Sequence, residues 1–257
     1  MPKVLVLGGT GFLGRKICLE ALNAGYSVTS ISRKGIEGLK SHDSINPSWI
    51  SQIQWKNGDI FNPKTFHEDL KSADAVVHTV GTAFGDQQYK NLLIKPSISG
   101  LFQFGSSQLA ERFRGSNPMK VEDEFDRVNC KSAVLAAKEY ISVSEPLSRK
   151  SFIYISSEDW NPLLSPRYVE SKRQAEAGLS SIADLRTVFV RPGLIYDGNV
   201  RDIRSTLACA MSNIPFLVTP LTSQTVARAV VEACKDESIE GVISWKALER
   251  FSQVSHS

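Results

Sequence analysis

At 257 residues and 28.3 kDa the chain is long enough for one sizeable α/β domain. Its net charge of +3 comes from Lys and Arg scattered along the sequence, which excludes the concentrated basic field that general nucleic-acid binding needs. Cys18, Cys130, Cys209 and Cys234 lie far apart with no C-x-x-C pair, a usage that suits a reducing compartment, and no metal site is expected. No stretch approaches the roughly 18 apolar residues of a membrane span, and a first strand starting at Lys3 leads us to expect no cleavable targeting peptide.

The chain opens with Lys3-Val4-Leu5-Val6-Leu7, breaks into Gly8-Gly9-Thr10-Gly11 and resumes as a helical pattern through Phe12, Leu13 and Gly14. The glycines satisfy G-x-G-x-x-G spacing at Gly9, Gly11 and Gly14 and also the alternative register at Gly8, Gly11 and Gly14. Glycine lets such a turn take positive φ and lets backbone approach a pyrophosphate, whose charge then sits on helix N–H groups. Strand, glycine turn and helix together predict a dinucleotide site.

Leu13, Ile17 and Ala21 form a sheet-facing stripe, and Gly25 is a natural helix stop. Residues 26–32 read as the second strand, at whose end a ribose is normally read. An NAD-preferring site tends to place a carboxylate there, whereas this chain has Ser32-Arg33-Lys34. A guanidinium pairs with a 2′-phosphate, so the expectation is NADP(H) over NAD(H); the alternative is a solvated pair of cations at a strand end. Residues 51–56 predict a third strand followed by Asp59 and Ile60, with Asp59 placed either to meet an adenine amino group or to form a turn. Residues 66–70 read as a short helix, and 75–81 as a buried parallel strand ending at Thr79, Val80 and Gly81. His78 within it reads as a core histidine rather than a base.

Periodicity weakens over 84–127, which is read as a lid or partner surface, with amphipathic membrane contact as a weaker alternative. An alanine-rich helix follows over 130–140, then a buried strand over 151–157 that ends in Ser156-Ser157. Eleven residues after Ser157 comes Tyr168-Val169-Glu170-Ser171-Lys172, which puts Tyr168 and Lys172 on one helix face. A lysine beside a phenol lowers its pKa from about 10 and lets it exchange a proton with a carbonyl or alcohol. A surface pair is the alternative. The strand over 186–191 runs into Pro192-Gly193, where a fixed turn brings backbone towards a nicotinamide. Residues 199–220 read as a substrate-side cap, 225–234 as a last helix and 241–244 as a late strand. The expected architecture is one Rossmann-type, doubly wound parallel α/β domain over 1–257, with 84–127 and 199–220 as lid and cap.

Gly8 to Gly14, Asp59, the strand end through Gly81, Asn129, Tyr168 with Lys172, and Arg191-Pro192-Gly193 resemble the short-chain dehydrogenase/reductase superfamily in its extended or atypical branch. Within it the sequence is similar to the NAD(P)H-binding accessory subunit of respiratory complex I and to a fungal mitochondrial relative associated with ubiquinone biosynthesis. The resemblance implies NADP(H) along the sheet's carboxyl edge, held by Gly8, Thr10, Gly11, Phe12, Leu13, Ser32, Arg33, Asp59, Ile60, Thr79, Val80, Gly81, Pro192 and Gly193. Tyr168 would be the general acid or base, Lys172 would hold the ribose, and Ser157 would assist. It further implies a hydrophobic quinone intermediate as substrate, partners in a mitochondrial ubiquinone-synthesis complex, and a place on the matrix side of the inner membrane. One departure stands out: the branch often carries its catalytic hydroxyl one place beyond the serine pair, where this chain has Glu158. A carboxylate there would oppose developing oxyanion charge, so binding without turnover is the alternative function.

Overall fold

The computed structural model describes residues 1–39, 48–82, 124–145, 149–159, 165–197 and 220–252. Most of the two expected lid or cap segments, including residues 84–123 and 199–219, lies outside them.

The first strand, β1 (Lys3–Leu7), leads through the glycine turn into helix α1 (Phe12–Asn23), and β2 (Ser27–Ser32) returns beside β1. Then come β3 (Gln54–Asn57), α2 (His67–Ser72), β4 (Ala75–His78), α3 (Ser132–Ser142), β5 (Lys150–Ile155), α4 (Pro166–Ser180) and β6 (Leu185–Val190). The described chain ends with short strands β7 (Ile195–Tyr196) and β8 (Leu221–Thr222), helix α5 (Ser223–Lys235), strand β9 (Gly241–Ile243) and helix α6 (Trp245–Glu249). Seven strands form one parallel sheet in the order β3-β2-β1-β4-β5-β6-β9, while β7 and β8 pair separately. This is the expected Rossmann-like α/β fold.

Alternation along the strands divides the core into two layers. Val4, Val6, Val77, Ile153 and Val188 face one side, where Leu13, Ile17 and Ala21 of α1 meet Val226, Ala229, Val230 and Ala233 of α5. Leu5, Leu7, Val76, Phe152 and Tyr154 face the other, under Leu70 of α2, Ala133, Ala136 and Ala137 of α3, and Ala175 and Leu179 of α4. The alanines of α3 and α4 carry little bulk, so these helices lie close on the sheet. The predicted stripe of Leu13, Ile17 and Ala21 is buried as expected, and α1 ends just before Gly25 at φ +85°.

The starts of three helices differ from the expected ones. Helix α5 begins earlier than its apolar stripe because Thr222 caps it, its hydroxyl accepting from the Thr225 N–H at 3.1 Å. Helix α4 likewise begins before Tyr168, with Pro166 in the first helical position. The segment entering α3 is not α-helical: Asp126–Lys131 forms a π turn, within which Asn129 is buried.

Arg186 of β6 is almost wholly buried without a carboxylate partner among the described residues. Its guanidinium donates to the carbonyls of Ala233 (2.7 Å), Ile239 (2.5 Å) and Asp236 (3.3 Å) and to the Ser151 hydroxyl (3.0 Å), thereby satisfying acceptors at the carboxyl end of α5. Arg186→Leu would strand those carbonyls, so we expect a loss of about 3 kcal/mol in urea unfolding. A midpoint within error of wild type would show that the acceptors find other partners.

Candidate functional site

The order of the sheet reverses at β1: the chain steps outward on one side through β2 and β3, then crosses back to β4 on the other side of β1. Ligands of open parallel sheets sit in the crevice outside the strand ends at such a point. The glycine turn leaves β1 at this crevice. Gly8 has φ +90°, its N–H donates to the Ile31 carbonyl at 2.8 Å, and its own carbonyl accepts from Gly11 N–H at 2.9 Å. A Cβ on Gly14 would lie 2.3 Å from the Gly8 carbonyl oxygen, and one on Gly9 would lie 2.3 Å from the Ser30 hydroxyl. Those two glycines let α1 press against the turn. Gly11 differs, because a Cβ there would meet only the Gly8 carbonyl, at 3.1 Å, and the residue is exposed. No side chain caps the start of α1. A bare turn feeding an uncapped helix fits a pyrophosphate.

The other expected nucleotide contacts distribute as follows. Phe12 is half-buried against the α1 core layer and Leu13 is inside it, so these two offer backbone rather than side chain. Thr10 lies under the loop after β2, where a Cβ on Gly38 would come within 3.1 Å of it. Ser32, at the end of β2, donates to the Gly35 carbonyl at 3.3 Å, while Arg33 is exposed with no ion-pair partner among the described residues. The Asp59 carboxylate accepts from the Phe61 N–H at 3.0 Å, so the turn-forming role is realised and its second oxygen is left over. Ile60 beside it is buried. Thr79 donates its hydroxyl to the Leu7 carbonyl at 2.9 Å, joining the ends of β1 and β4, and half-buried Val80 packs against the α3 side of the core. Pro192 accepts from the Glu158 N–H at 3.0 Å, tying the loops after β5 and β6, and Gly193 follows half-buried.

Tyr168, Lys172 and Ser157 do converge. Ser157 lies just past β5, where its hydroxyl donates to the Glu158 carbonyl at 3.2 Å, and it stands near enough to the Tyr168 phenol to favour its ionised form. Lys172 is 3% exposed and its ammonium donates to the Ile155 carbonyl at 2.9 Å. Gly81 closes the other side, since a Cβ there would lie 3.1 Å from both the Lys172 nitrogen and the Asn129 amide oxygen. The Asn129 amide in turn donates to the Thr82 carbonyl (3.2 Å) and the Ser171 hydroxyl (3.0 Å) and accepts from the Thr82 N–H (3.0 Å).

The electrostatics differ from the expected pairing. Burial pushes the Tyr168 phenol up, opposed by the Arg173 guanidinium and the Ser157 hydroxyl, with Lys172 not among the opposing groups. Burial also brings Lys172 down to about 7, partly offset by Glu176. His78 is fully buried, hydrogen-bonded to the Ser132 hydroxyl at 3.0 Å and pushed down to about 3 by burial and by Lys172, which leaves it a neutral core residue as expected.

One feature carries no full signal in the sequence. Arg173 donates to Asp159 (2.7 Å), Glu176 (2.6 Å), the Ser156 hydroxyl (3.0 Å) and the Ser157 carbonyl, while Arg191 grips both oxygens of Glu176 at 3.0 and 2.5 Å. This ion cluster holds the serine loop against α4 and β6. The spacing of Arg173 and Glu176 on one helix was visible, but the distant Arg191 and Asp159 carry no sequence signal that pairs them. Glu158 is the departure that the sequence marks. Its carboxylate accepts from the backbone N–H groups of Asp159 (3.1 Å) and Trp245 (3.5 Å) and is not among the charges that shift the Tyr168 phenol.

A family model described as NAD(P)H-binding matches residues 8–237. The chain belongs to the NAD(P)H-binding, atypical short-chain dehydrogenase/reductase family. It is 35% identical to MIOREX complex component 2 of Saccharomyces cerevisiae, over 77% of this chain and 74% of that protein. It is 27% identical to an uncharacterised chloroplastic protein of Arabidopsis thaliana, over 94% and 74% respectively. In fold it is similar to a putative NAD-dependent epimerase/dehydratase from Bacillus halodurans, with a TM-score of 0.59 and 17% identity over 97% of this chain and all of that one.

The lowered Lys172 has a measurable consequence. The unfolded chain keeps this proton to about 10.5 and the folded chain releases it near 7, so within that window the unfolded state binds more protons. Stability contributed by this residue therefore rises with pH through the window. The difference in unfolding free energy between wild type and Lys172→Met should grow by at most about 1.4 kcal/mol per pH unit above neutrality. A difference that stays flat from neutral to mildly alkaline pH would contradict this.

Proposed function

We propose that this chain binds NADP(H) in preference to NAD(H) and uses Tyr168, with Ser157 and Lys172, to exchange a proton with a hydrophobic carbonyl or quinone compound. The observation that carries the reading is the meeting of the Ser157 hydroxyl, the Tyr168 phenol and the buried Lys172 ammonium at the end of β5, beside the crevice of the glycine turn. A bound nicotinamide would supply or accept a hydride. The residues that would hold the dinucleotide are the glycine turn for the pyrophosphate, Ser32 and Arg33 for the 2′-phosphate, Asp59 and Ile60 with Thr79, Val80 and Gly81 around the adenosine, and Lys172 with Pro192 and Gly193 towards the nicotinamide end. Ser157 orients the reacting oxygen, and Tyr168 gives or takes its proton. The Glu158 carboxylate, at the place beyond the serine pair, is engaged by the backbone N–H groups of Asp159 and Trp245.

A second reading, an accessory nucleotide-binding subunit without turnover, is favoured by the yeast relative, which is named as a component of a complex. The chloroplastic designation of the plant relative supports an organellar setting. A mitochondrial place, matrix partners and a role in ubiquinone biosynthesis rest on the sequence resemblance alone, and the names of these relatives add nothing to the ubiquinone part.

Titration of both nucleotides should show tighter NADPH binding, with Arg33→Ala losing about tenfold in NADPH affinity and leaving NADH unchanged. Tighter NADH binding by wild type would reverse the preference. Catalysis and binding separate in a complementation assay: Gly11→Asp places a carboxylate at the exposed turn and should abolish function under either reading. Tyr168→Phe should abolish it only if the phenol does chemistry.

A further inference from the structure

A buried ammonium with three donors normally finds a carboxylate or several carbonyls. Among the described residues Lys172 has one such hydrogen-bond acceptor, the Ile155 carbonyl. Glu176, one turn along α4, favours the charged form through space but is bonded to Arg173, Arg191 and Ser156. The ammonium faces rings instead. Its nitrogen lies 4.7 Å from the ring centroid of Tyr154 and 5.7 Å from that of Tyr168. Tyr154, on β5, is fully buried, packs against the His78 ring at 5.6 Å and donates its hydroxyl to the Asn129 carbonyl at 2.9 Å. One side chain thus touches the cation with its face and the π turn with its tip.

We propose that Tyr154 is a positioning residue for Lys172, its ring face holding the ammonium at the strand edge while its hydroxyl locks the Asn129 turn on the other side of Gly81. This deepens the proposed function and rests on Lys172 being a nucleotide contact. The face of an aromatic ring attracts a desolvated cation and so favours the protonated amine. Of the other groups facing Lys172, Glu176 acts in the same direction and Arg173 against it, both from α4. His78, from β4, stays neutral through the physiological range, and burial keeps the phenols of Tyr154 and Tyr168 protonated.

The test reads Lys172 directly. In protein labelled with 13C at lysine Cε, the Lys172 resonance is assigned by its absence from Lys172→Gln, and its titration is followed by NMR. Wild type should titrate near 7. Tyr154→Phe keeps the ring and should leave the midpoint in place, while hydrogen exchange across Asp126–Lys131 accelerates. Trifluorophenylalanine at position 154 keeps the size but weakens the ring's negative face, and should lower the midpoint by about one pH unit, a tenfold change in the acid constant. Because this replacement preserves packing, the outcome does not depend on a truncated side chain folding. Equal midpoints for Phe and its fluorinated form would overturn the role of the ring, and unchanged exchange in Tyr154→Phe would overturn that of the hydroxyl. The pH profile of NADPH binding by the same proteins tests the underlying reading separately. A moved Lys172 midpoint with an unmoved binding profile keeps the Tyr154–Lys172 pair and removes the lysine from the nucleotide site.

Discussion

The contact on which the architecture turns is that of α1 with the loop that launches it. A single methyl group at position 14 would stand 2.3 Å from the Gly8 oxygen, and one at position 9 would strike Ser30 of the neighbouring strand. Only bare backbone lets α1 lie this low across β1 and β2. Its depth then sets the seat of α5, which packs beside it through Val226, Ala229, Val230 and Ala233 and bonds Glu20 through Gln224. Lys16, on the same helix, reaches Asp197 at 3.0 Å and so fixes the segment leaving β6 through Pro192 and Gly193. One close approach therefore places both the phosphate-facing turn and the chain that borders the far end of the crevice.

A second constraint works across the sheet from the first. The loop that ends β5 carries two buried serines, and loops expose backbone groups that need partners. Arg173 supplies them by donating to the Ser157 carbonyl and the Ser156 hydroxyl, and the carboxylates of Glu176 and Asp159 hold the guanidinium in place. Arg191 completes the ring from β6. Two arginines and two carboxylates at partial exposure add modest stability, but removing one carboxylate would leave opposed guanidinium groups. The effect that matters is geometric, because the orientation of Ser157 beside Tyr168 is fixed by charges that touch neither the phenol nor any reacting atom.

The fold was legible because it depends on local pattern. The buried stripe on α1, the buried runs of β4 and β5, and glycines at a strand end each announce themselves within a dozen residues. Among site residues, Tyr168, Lys172 and Ser157 could be read from spacing, since helix geometry sets the first pair and the strand end sets the third. What stayed hidden required knowledge of partners far along the chain. Tyr154 read as one more apolar strand residue until its hydroxyl met Asn129, and the backbone partners of Glu158 were hidden because sequence gives position but not the direction of a carboxylate. The π turn was hidden for the same reason: Asn129 is held by Thr82 and Ser171, from elements on either side of it in the sequence.

Two buried cations show how structural and functional charges differ in one fold. Arg186 spends its guanidinium on carbonyls at the end of α5 and on Ser151, so its burial is compensated and it serves as a joint. Lys172 has a single carbonyl and two aromatic faces among the described residues, and its affinity for a proton falls from that of an ordinary lysine to about 7. A protein that needed only a strut would gain by replacing such a residue with a hydrocarbon of equal size. An under-satisfied ammonium beside Gly81, where even a methyl group would crowd it, has local stability set against a donor free to meet something from outside. Of these two buried cations, the one with fewer acceptors is thus the one at the candidate site.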